Sequence, residues 1–321
     1  MRVLITGITS FLGLYTAKLL LQEGHEVIGA VRPGSRRAQE LDAHGISAYP
    51  TYRTVHLDLS ELPEAELGEA HYAEVMGDTA ALIDAWIHFA WDGVGSAGRS
   101  DTNIQIENIQ NAKKAYLYAK LLGARKFLFA GSQAEYGVGN HRVPMPVSPY
   151  GKAKLSFGRW ATEQSLLSEI YDDAPMQFIH MRIYSVYGSG DHETSLVNTV
   201  LRAALRHEAI TLGPCEQRWN YLEVHDLARA IRILLSSEDT RTGIYDIAGS
   251  DSRMLKKYVI AMNAIAGDGA ELRFGTRANN AEGAANMSPE ILKLQRLGFH
   301  QEISFEAGIG MLLKMMREEL S

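Results

Sequence analysis

The strongest constraint on the fold comes from the first 24 residues, which read as a strand, a glycine turn and a helix. Residues 2–6 (RVLIT) form an apolar run, and GITSFLG follows it before LYTAKLLLQEG, whose apolar residues recur with helical spacing. Gly24 closes this helix in the position of a C-cap. With the next apolar run, HEVIGAV at 25–31, the segment has the size of a right-handed βαβ unit in a parallel sheet.

Four further apolar runs, with helical patterns between them, continue this alternation. They are TVHLDL (54–59), AWIHFAW (85–91), KFLFAGS (126–132) and MQFIHMRIY (176–184). Such alternation is typical of a doubly wound α/β sheet, so the sequence predicts a Rossmann-type fold.

The regular alternation loosens after about residue 185, which predicts a smaller C-terminal substrate-binding region. We therefore expect a dinucleotide-binding Rossmann domain at 1–184, with residues of about 219–248 returning to it. Residues 185–321 otherwise form mainly the substrate-binding region. No repeat or low-complexity linker marks the boundary.

Composition narrows the class of protein and its partners. The 321 residues are 46% hydrophobic and 22% charged, which is globular composition with enough chain for a sizeable core. The net charge of −6 and the lack of a long basic run predict neither a nucleic-acid nor a membrane partner. A single cysteine, and a start without a signal-peptide pattern, lead us to expect the cytoplasm. We predict no bound metal.

The segment TGITSFLG, at 6–13, predicts a dinucleotide site. It ends a strand and opens a helix, where a pyrophosphate can bind the free N–H groups and the positive end of the helix dipole. Gly7 permits the tight turn, and Gly13 permits close packing of the helix on the strand. Ser10 stands where a middle glycine is usual. The candidate cofactor-binding residues here are Gly7, Thr9, Ser10, Phe11, Leu12 and Gly13.

The second strand ends in AVRPGSRR, without the acidic residue that holds the ribose hydroxyls of NAD. Arg32, with Arg36 or Arg37 behind it, offers forked hydrogen bonding to a 2′-phosphate. NADP is therefore the favoured cofactor and NAD the alternative. The competing interpretation is that these arginines belong to a solvated loop.

Residues after the third and fourth strands are further candidate cofactor contacts. Asp58, followed by Leu59, lies where its carboxylate can accept from the adenine amino group, although an N-cap aspartate is the alternative. Phe89 and Ala90 follow the fourth strand, where the chain lies close to the cofactor in such sheets. We interpret His88 as a packed, hydrogen-bonded histidine rather than a catalyst.

The stretch SPYGKAKL, at 148–155, places Tyr150 four residues ahead of Lys154. Both lie on one helix face, which suits an ordinary surface helix or a proton donor with its cation. Ser132 supports the second interpretation, because a serine at a strand's carboxyl edge can share one carbonyl oxygen with that tyrosine. An adjacent ammonium lowers the pKa of a tyrosine from about 10. We predict that Ser132, Tyr150 and Lys154 are catalytic, and that the last two also contact the cofactor.

The chain thus resembles the extended short-chain dehydrogenase/reductase family of nucleotide-sugar epimerases, dehydratases and ketoreductases. The resemblance rests on the TGxxxFLG turn, Asp58, HFAW, Ser132 and Tyr150-x-x-x-Lys154, and it covers nearly the whole chain. It implies an NAD(P)-binding Rossmann domain, a C-terminal lobe for a sugar nucleotide, the two hydroxyls on the reacting oxygen and the lysine on the nicotinamide ribose. It also implies a homodimer of paired helices, here those beginning near 103 and 149, whose apolar faces could instead be intramolecular core.

Two later segments are also similar to the family. MRIYSVYGSGDHETSL (181–196) resembles the segment that leads into the sugar-nucleotide site, and EQRWNYLEVHDLARAI (216–231) resembles a later nucleotide-contact motif. The substrate contacts that this resemblance adds, each with a structural role as its alternative, are Arg182, Asn198 and Arg218. Trp219 stands where the family more usually has an arginine, so Arg218 lies one position away from it.

The residues after Ser132 narrow the reaction. The family's 4,6-dehydratases carry Asp-Glu there as acid and base, whereas this chain has Gln133 and Ala134, which transfer no protons. Gln133 remains a candidate substrate contact. Two reactions remain: reduction of the 4-keto group of a nucleotide-activated 6-deoxyhexose by NADPH, or 4-epimerisation with tightly held NAD. Arg32 and the segments SPYGKAKL, HFAWDG and EQRWNYL favour the reductase. A non-catalytic NADP sensor is the third interpretation, and the retained catalytic set argues against it.

Overall fold

A computed structural model describes residues 1–62, 83–276 and 288–320. Its centre is a seven-stranded sheet in which every neighbouring pair of strands is parallel. The strands are β1 (Arg2–Thr6), β2 (Glu26–Val31), β3 (Tyr52–His56), β4 (Ala85–His88), β5 (Lys126–Ser132), β6 (Gln177–Ile183) and β10 (Gly243–Ile247). Their order across the sheet is β10-β6-β5-β4-β1-β2-β3. The predicted Rossmann-type doubly wound sheet is therefore confirmed.

Helices cover both faces of this sheet. The described helices are α1 (Phe11–Gln22), α2 (Gln39–Ala43), α3 (Ser96–Arg99), α4 (Thr102–Leu121), α5 (Pro149–Tyr171), α6 (Leu196–Arg206), α7 (Val224–Ser236), α8 (Leu255–Ala266), α9 (Leu292–Arg296) and α10 (Phe305–Leu320). On one face α1 packs against α7, and on the other α4 packs against α5. Each pair buries an apolar stripe against the sheet, so the sheet separates two apolar clusters.

Two strands end earlier than the sequence predicted. The third was expected over 54–59, but β3 ends at His56 because the Asp58 carboxylate accepts from the N–H and hydroxyl of Ser60 and closes a turn. The fourth was expected over 85–91, but β4 ends at His88. The backbone N–H of Asp92 instead bonds the Asn108 side chain on α4, which draws the chain away from the sheet.

The C-terminal part adds a third apolar cluster, built largely by α6, α8 and α10. Its strands form small sheets: β7 (Ser185–Tyr187), β9 (Arg218–Glu223) and β11 (Ser252–Met254) in one, and β8 (Ala209–Thr211) with β12 (Glu271–Arg273) in the other. Within the segment expected to return to the main domain, β10 joins the large sheet and α7 packs on α1, while β9 belongs to the small three-stranded sheet.

The helices expected to pair in a homodimer pack against each other within one chain. They also carry apolar side chains that this single chain leaves exposed, namely Ile106 and Leu121 on α4 and Leu166, Leu167 and Ile170 on α5. The homodimer stays a prediction.

No helix among the described residues has the length and apolar character needed to cross a membrane.

Two glycines provide a matched stability test. A Cβ at Gly13 would lie 2.7 Å from the Ile8 carbonyl oxygen and 2.8 Å from its Cα, both backbone atoms, whereas a Cβ at Gly310 on α10 would meet nothing within 4 Å. Gly13→Ala should therefore lower the free energy of unfolding by ~1–3 kcal/mol, the usual cost of overpacking. Gly310→Ala should raise it by ~0.5–1 kcal/mol through helix propensity. Urea unfolding of both variants measures this, and equal stability of Gly13→Ala and wild type would refute the close packing of α1.

Candidate active site

A cleft of about 760 Å³ runs along the carboxyl edge of the large sheet. Its walls come from the glycine turn after β1, the chain after β2 to β5, the start of α5 and the segments around β7 and α6. Parallel strands bring all their carboxyl ends to one edge, which is where ligands bind in open α/β sheets.

Most of the predicted site residues line this cleft. They are Gly7, Thr9, Ser10, Phe11, Leu12, Arg32, Asp58, Leu59, Phe89, Ala90, Ser132, Gln133, Tyr150 and Lys154. Of the two arginines named behind Arg32, Arg37 lines the cleft and Arg36 does not. The structure thus brings the predicted cofactor residues and the predicted catalytic residues together in one cavity.

Four predicted residues do not line the cleft. Gly13 packs below the turn, against the backbone of Ile8. Arg182 was expected to contact substrate but is only 2% exposed, and its Nε donates to the Glu135 carboxylate at 2.9 Å. Asn198, in the first turn of α6, is buried, and its amide donates to backbone carbonyls in the loop before that helix. Arg218 donates to the Ser252 carbonyl on the neighbouring strand. The last three have intramolecular partners in this structure, and their substrate contacts stay predictions.

The glycine turn has the space and the hydrogen-bond donors that a pyrophosphate needs. Gly7 has a φ of +72°, and a Cβ there would lie 2.7 Å from the Ala90 N, so only glycine fits. Ser10 is the N-cap of α1, with its hydroxyl accepting from the Gly13 N–H at 3.1 Å. The N-terminus of α1 therefore opens into the cleft as a site for an anion, and the chain fits a dinucleotide here.

Opposite charges meet at the end of the cleft where the adenosine is expected. Arg32 makes a two-pronged ion pair with Asp92, at 2.9 and 3.2 Å, and both side chains are more than half exposed. Partial burial would raise the pKa of Asp58, but hydrogen bonds from Ser60 and the charge of Arg32 hold that pKa below its ordinary value. Arg32 is thus a cation in reach of the cleft, as the sequence predicted, but it is paired with a carboxylate.

Ser132 lies at the last position of β5, and a short turn fixes its backbone and hydroxyl. Its Oγ accepts from the Ala134 N–H at 3.2 Å, while its own N–H donates to the Glu135 carboxylate at 2.8 Å. These two bonds form a capping box. Because the Ser132 oxygen already accepts one bond, its proton is available to a ligand in the cleft that it lines.

Tyr150 and Lys154 lie in the first turns of α5, which begins at Pro149 behind the N-cap Ser148. Both side chains are buried, and the Lys154 ammonium donates to the Ala130 carbonyl at 2.6 Å. It also lies 4.0 Å from the centre of the Trp91 ring. Burial lowers the pKa of Lys154 to about 7, with Glu135 raising it and Arg99 lowering it.

His88 is packed inside the sheet, as expected. It is 1% exposed, and its Nδ1 pairs with the Thr6 hydroxyl at 2.8 Å. Burial, with a smaller effect of Lys154, lowers the pKa of His88 to about 3, so the ring is neutral at physiological pH.

The loop after β4 is shaped by residues that were not predicted from the sequence. Asn108 on α4 both accepts from and donates to the backbone of Asp92, and Gln105, one turn earlier, accepts from the Trp91 indole. Arg99, on α3, places its guanidinium carbon 4.6 Å from the centre of the Tyr150 ring. Amide residues three apart on an otherwise amphipathic helix were the available signal for the first two, whereas nothing in the sequence linked Arg99 to Tyr150.

The side chains that follow Ser132 carry no proton chemistry. Gln133 lines the cleft, and its amide donates to the Ser185 hydroxyl at 3.3 Å. Ala134 has no titratable group. The described residues also contain no group of three His, Cys, Asp or Glu side chains that could hold a metal ion.

Comparison with known proteins gives a matching family model and similar proteins that span most of the chain. Residues 3–248 match the model of the NAD dependent epimerase/dehydratase family. The chain is 23% identical over 287 residues to a CDP-abequose synthase of Yersinia pseudotuberculosis, which covers 87% of this chain and 90% of that protein. It is also 23% identical over 290 residues to a UDP-glucose 4-epimerase of Corynebacterium glutamicum, which covers 83% and 81%.

Solved structures of the same architecture superpose over nearly the whole chain. A UDP-glucose 4-epimerase of Thermus thermophilus in complex with NAD has a TM-score of 0.77 at 21% identity and covers 99% of each chain. The dTDP-glucose 4,6-dehydratase DesIV of Streptomyces venezuelae, with NAD and TYD bound, has a TM-score of 0.80 at 20% identity and covers 99% and 97%. At these identities the likeness shows the fold.

The buried Lys154 should make the stability of the cofactor-free protein depend on pH. Its pKa is about 7 when folded and about 10.4 in an unfolded chain, so between these values the unfolded state binds more protons and stability rises with pH. From pH 7 to 10 the free energy of unfolding of wild type should therefore gain ~3 kcal/mol relative to that of Lys154→Met. Urea unfolding of both proteins at several pH values tests this, and a pH-independent difference would contradict it.

Proposed function

Since this chain belongs to the NAD-dependent epimerase/dehydratase family, we propose that it is an NADP-dependent reductase of the 4-keto group of a nucleotide-activated 6-deoxyhexose. The observation that carries the proposal is the meeting of Ser132, Tyr150 and Lys154 in one cleft with the dinucleotide turn. A hydroxyl pair, a buried cation and a cofactor site at one sheet edge are the parts that carbonyl reduction requires.

The hydroxyls of Ser132 and Tyr150 bind and protonate the carbonyl oxygen. NADPH, when bound, supplies the hydride that adds to the carbonyl carbon. Ser132, whose oxygen accepts from Ala134, donates a hydrogen bond to the carbonyl oxygen and holds it. Tyr150 transfers its phenolic proton to that oxygen as the C–O double bond becomes a single bond. One hydride and one proton thus convert the ketone to an alcohol.

Lys154 holds the cofactor and assists Tyr150. Its ammonium lies on the same helix, one turn after the phenol, and is anchored on the Ala130 carbonyl at 2.6 Å. We assign its other protons to the ribose hydroxyls next to the nicotinamide. A protonated Lys154 also stabilises the phenolate that remains after Tyr150 gives up its proton.

Reduction suits the site better than dehydration. Elimination of water needs an acid and a base beside the hydride acceptor, and Gln133 and Ala134 occupy the positions expected for them. The relatives named CDP-abequose synthase, a name that describes no dehydratase, support the same choice.

A 4-epimerase is the second candidate. Proteins named UDP-glucose 4-epimerase match the chain at the same low identity, and structural neighbours hold NAD. Such an enzyme uses the same Ser132, Tyr150 and Lys154 but returns the hydride to the sugar, so it consumes no added coenzyme.

The remaining parts of the proposal follow from the sequence. We propose that residues 185–321 mainly bind the sugar nucleotide, that Gln133 contacts it in the cleft, and that the enzyme is a cytoplasmic homodimer. Arg182, Asn198 and Arg218 stay predicted substrate contacts, and each has an intramolecular partner in this structure, which is the structural role named as the alternative.

The direct test follows nicotinamide absorbance while purified protein is mixed with NADPH or NADH and a panel of NDP-4-keto-6-deoxyhexoses. Stoichiometric loss of NADPH with one sugar is expected. Tyr150→Phe should lower kcat by ~100-fold or more, because the proton donor is lost while the ring remains. Turnover near wild type in that variant would remove Tyr150 from the role. Interconversion of NDP-hexoses with no added coenzyme, by protein that carries bound NAD, would replace the reductase with the epimerase.

Arg32 provides the test of the coenzyme. Its guanidinium is in the cleft wall and must exchange Asp92 for the 2′-phosphate of NADPH. Arg32→Gln should weaken NADPH binding by ~10–100-fold, the loss of a charged hydrogen-bonded pair, and leave NADH binding nearly unchanged. Arg36→Gln is the matched control, because Arg36 lies outside the cleft wall. Fluorescence titration of wild type and both variants with NADPH and with NADH measures the binding constants, and equal losses of affinity for both coenzymes in Arg32→Gln would contradict a 2′-phosphate contact.

A further inference from the structure

A carboxylate without a part in the proposed reaction lies directly behind the catalytic residues. Glu135 is 0% exposed, and the carbonyl group of its neighbour Ala134 lies close to Gly151, the third residue of α5. An ionised carboxylate in such a place is costly unless every lone pair is matched by a donor. Its contacts therefore indicate what it holds.

Glu135 ties the end of β5 to β6. One carboxylate oxygen accepts from the Ser132 N–H at 2.8 Å and pairs with His180 Nε2 at 3.0 Å. The other accepts from Arg182 Nε at 2.9 Å. Burial alone would raise the pKa of Glu135, but His180, Arg182 and the Ser132 N–H hold it below its ordinary value, so Glu135 is an anion at neutral pH.

Two glycines leave the room that this carboxylate needs. A Cβ at Gly131 would lie 2.5 Å from both the Glu135 oxygen and His180 Nε2. A Cβ at Gly158, on the helix that carries Tyr150, would lie 2.6 Å from His180 Nδ1. Helix α5 therefore rests on the ring that Glu135 holds, and the positions of Ser132 and Tyr150 depend on the same buried group.

The Glu135 carboxylate and the Lys154 ammonium lie at consecutive residues of β5, because the carboxylate lies against Gly131 and the ammonium donates to the Ala130 carbonyl at 2.6 Å. The charged and titratable groups around that ammonium are Glu135 from the turn, Arg99 from α3, His88 from β4 and Tyr150 from its own helix. His88 is neutral at pH 7, and Arg99 repels the ammonium. Glu135 is the group that favours the protonated form, against the burial that disfavours it.

We propose that Glu135 is a positioning residue for the reaction: its carboxylate fixes Ser132 at the end of β5 and stabilises the ammonium charge of Lys154. The inference rests on the proposed roles of Ser132 and Lys154. The buried ion pair of Glu135 with Arg182 would then contribute to the reaction as well as to folding. The Glu135 carboxylate would set both the position of Ser132 and the charge of Lys154.

Two substitutions separate the two effects. Glu135→Gln keeps the length of the side chain, and so the bond to Ser132, but removes the charge. Glu135→Asp keeps the charge but shortens the side chain by one methylene, which withdraws it from Ser132. Glu163→Gln, at an exposed position of α5, is the control for the loss of one carboxylate.

The effect of the Glu135 charge on Lys154 is measured by the pH dependence of coenzyme binding, an experiment that does not require turnover. Fluorescence titration with NADPH from pH 5.5 to 9 should show affinity falling as Lys154 loses its proton. In Glu135→Gln this inflection should move down by about one pH unit or more, since an opposite charge nearby shifts a pKa by ~1–3. Glu135→Asp and Glu163→Gln should keep the wild-type inflection. An unchanged inflection in Glu135→Gln would overturn the electrostatic half of the proposal.

The effect of Glu135 on the position of Ser132 is measured by turnover with the sugar that the panel identifies. Glu135→Asp should lower kcat by ~10-fold or more with coenzyme affinity preserved, because a small displacement of Ser132 weakens its bond to the carbonyl oxygen. Wild-type kcat in this variant would overturn the positioning half. If Glu135→Gln does not fold because Arg182 is left unpaired, the double variant Glu135→Gln with Arg182→Met removes both buried charges and takes its place in the titration. The coenzyme titration does not depend on reductase activity. Failure of the reductase proposal can therefore be distinguished from failure of the proposal for Glu135.

Discussion

The site depends on the parallel alignment of β1, β4, β5 and β6. Thr6 pairs with His88 and His88 with Phe129, where β1 and β4 end, and β5 and β6 continue past this level to the pair of Ser132 and Ile183. The tight approach of Gly7 to Ala90 then sets the dinucleotide turn against the chain after β4. Because each strand ends at the same edge, residues far apart in sequence meet without any one loop having to carry the whole site.

What the sequence predicted well is what local pattern determines. The βαβ start, the helix carrying Tyr150 and Lys154, and Ser132 at a strand end all follow from periodicity and caps. The burial of Arg182 did not, since it depends on Glu135, a residue 47 positions away whose partner is known only once β5 and β6 pair. The hydrogen bonds of Asn198 could not be predicted for a related reason, because its amide closes the loop before α6.

The electrostatics of the site favour function over stability. Lys154 has lost most of its water, and its pKa of about 7 shows that the folded protein holds the ammonium reluctantly. A methionine of similar length would fill the same space without that cost. The buried Glu135 and the aromatic face of Trp91 offset part of the penalty for burying this ammonium.

The central claim is that hydride passes from an exchangeable coenzyme to the sugar in this cleft. The most direct measurement is the mass of the sugar product formed with NADPH deuterated at both C4 positions. We expect one deuterium on the carbon that carried the carbonyl, at stoichiometric yield. A product formed without deuterium, by protein that retains its own unlabelled NAD, would contradict it and identify an enzyme that returns to the sugar the hydride it removed.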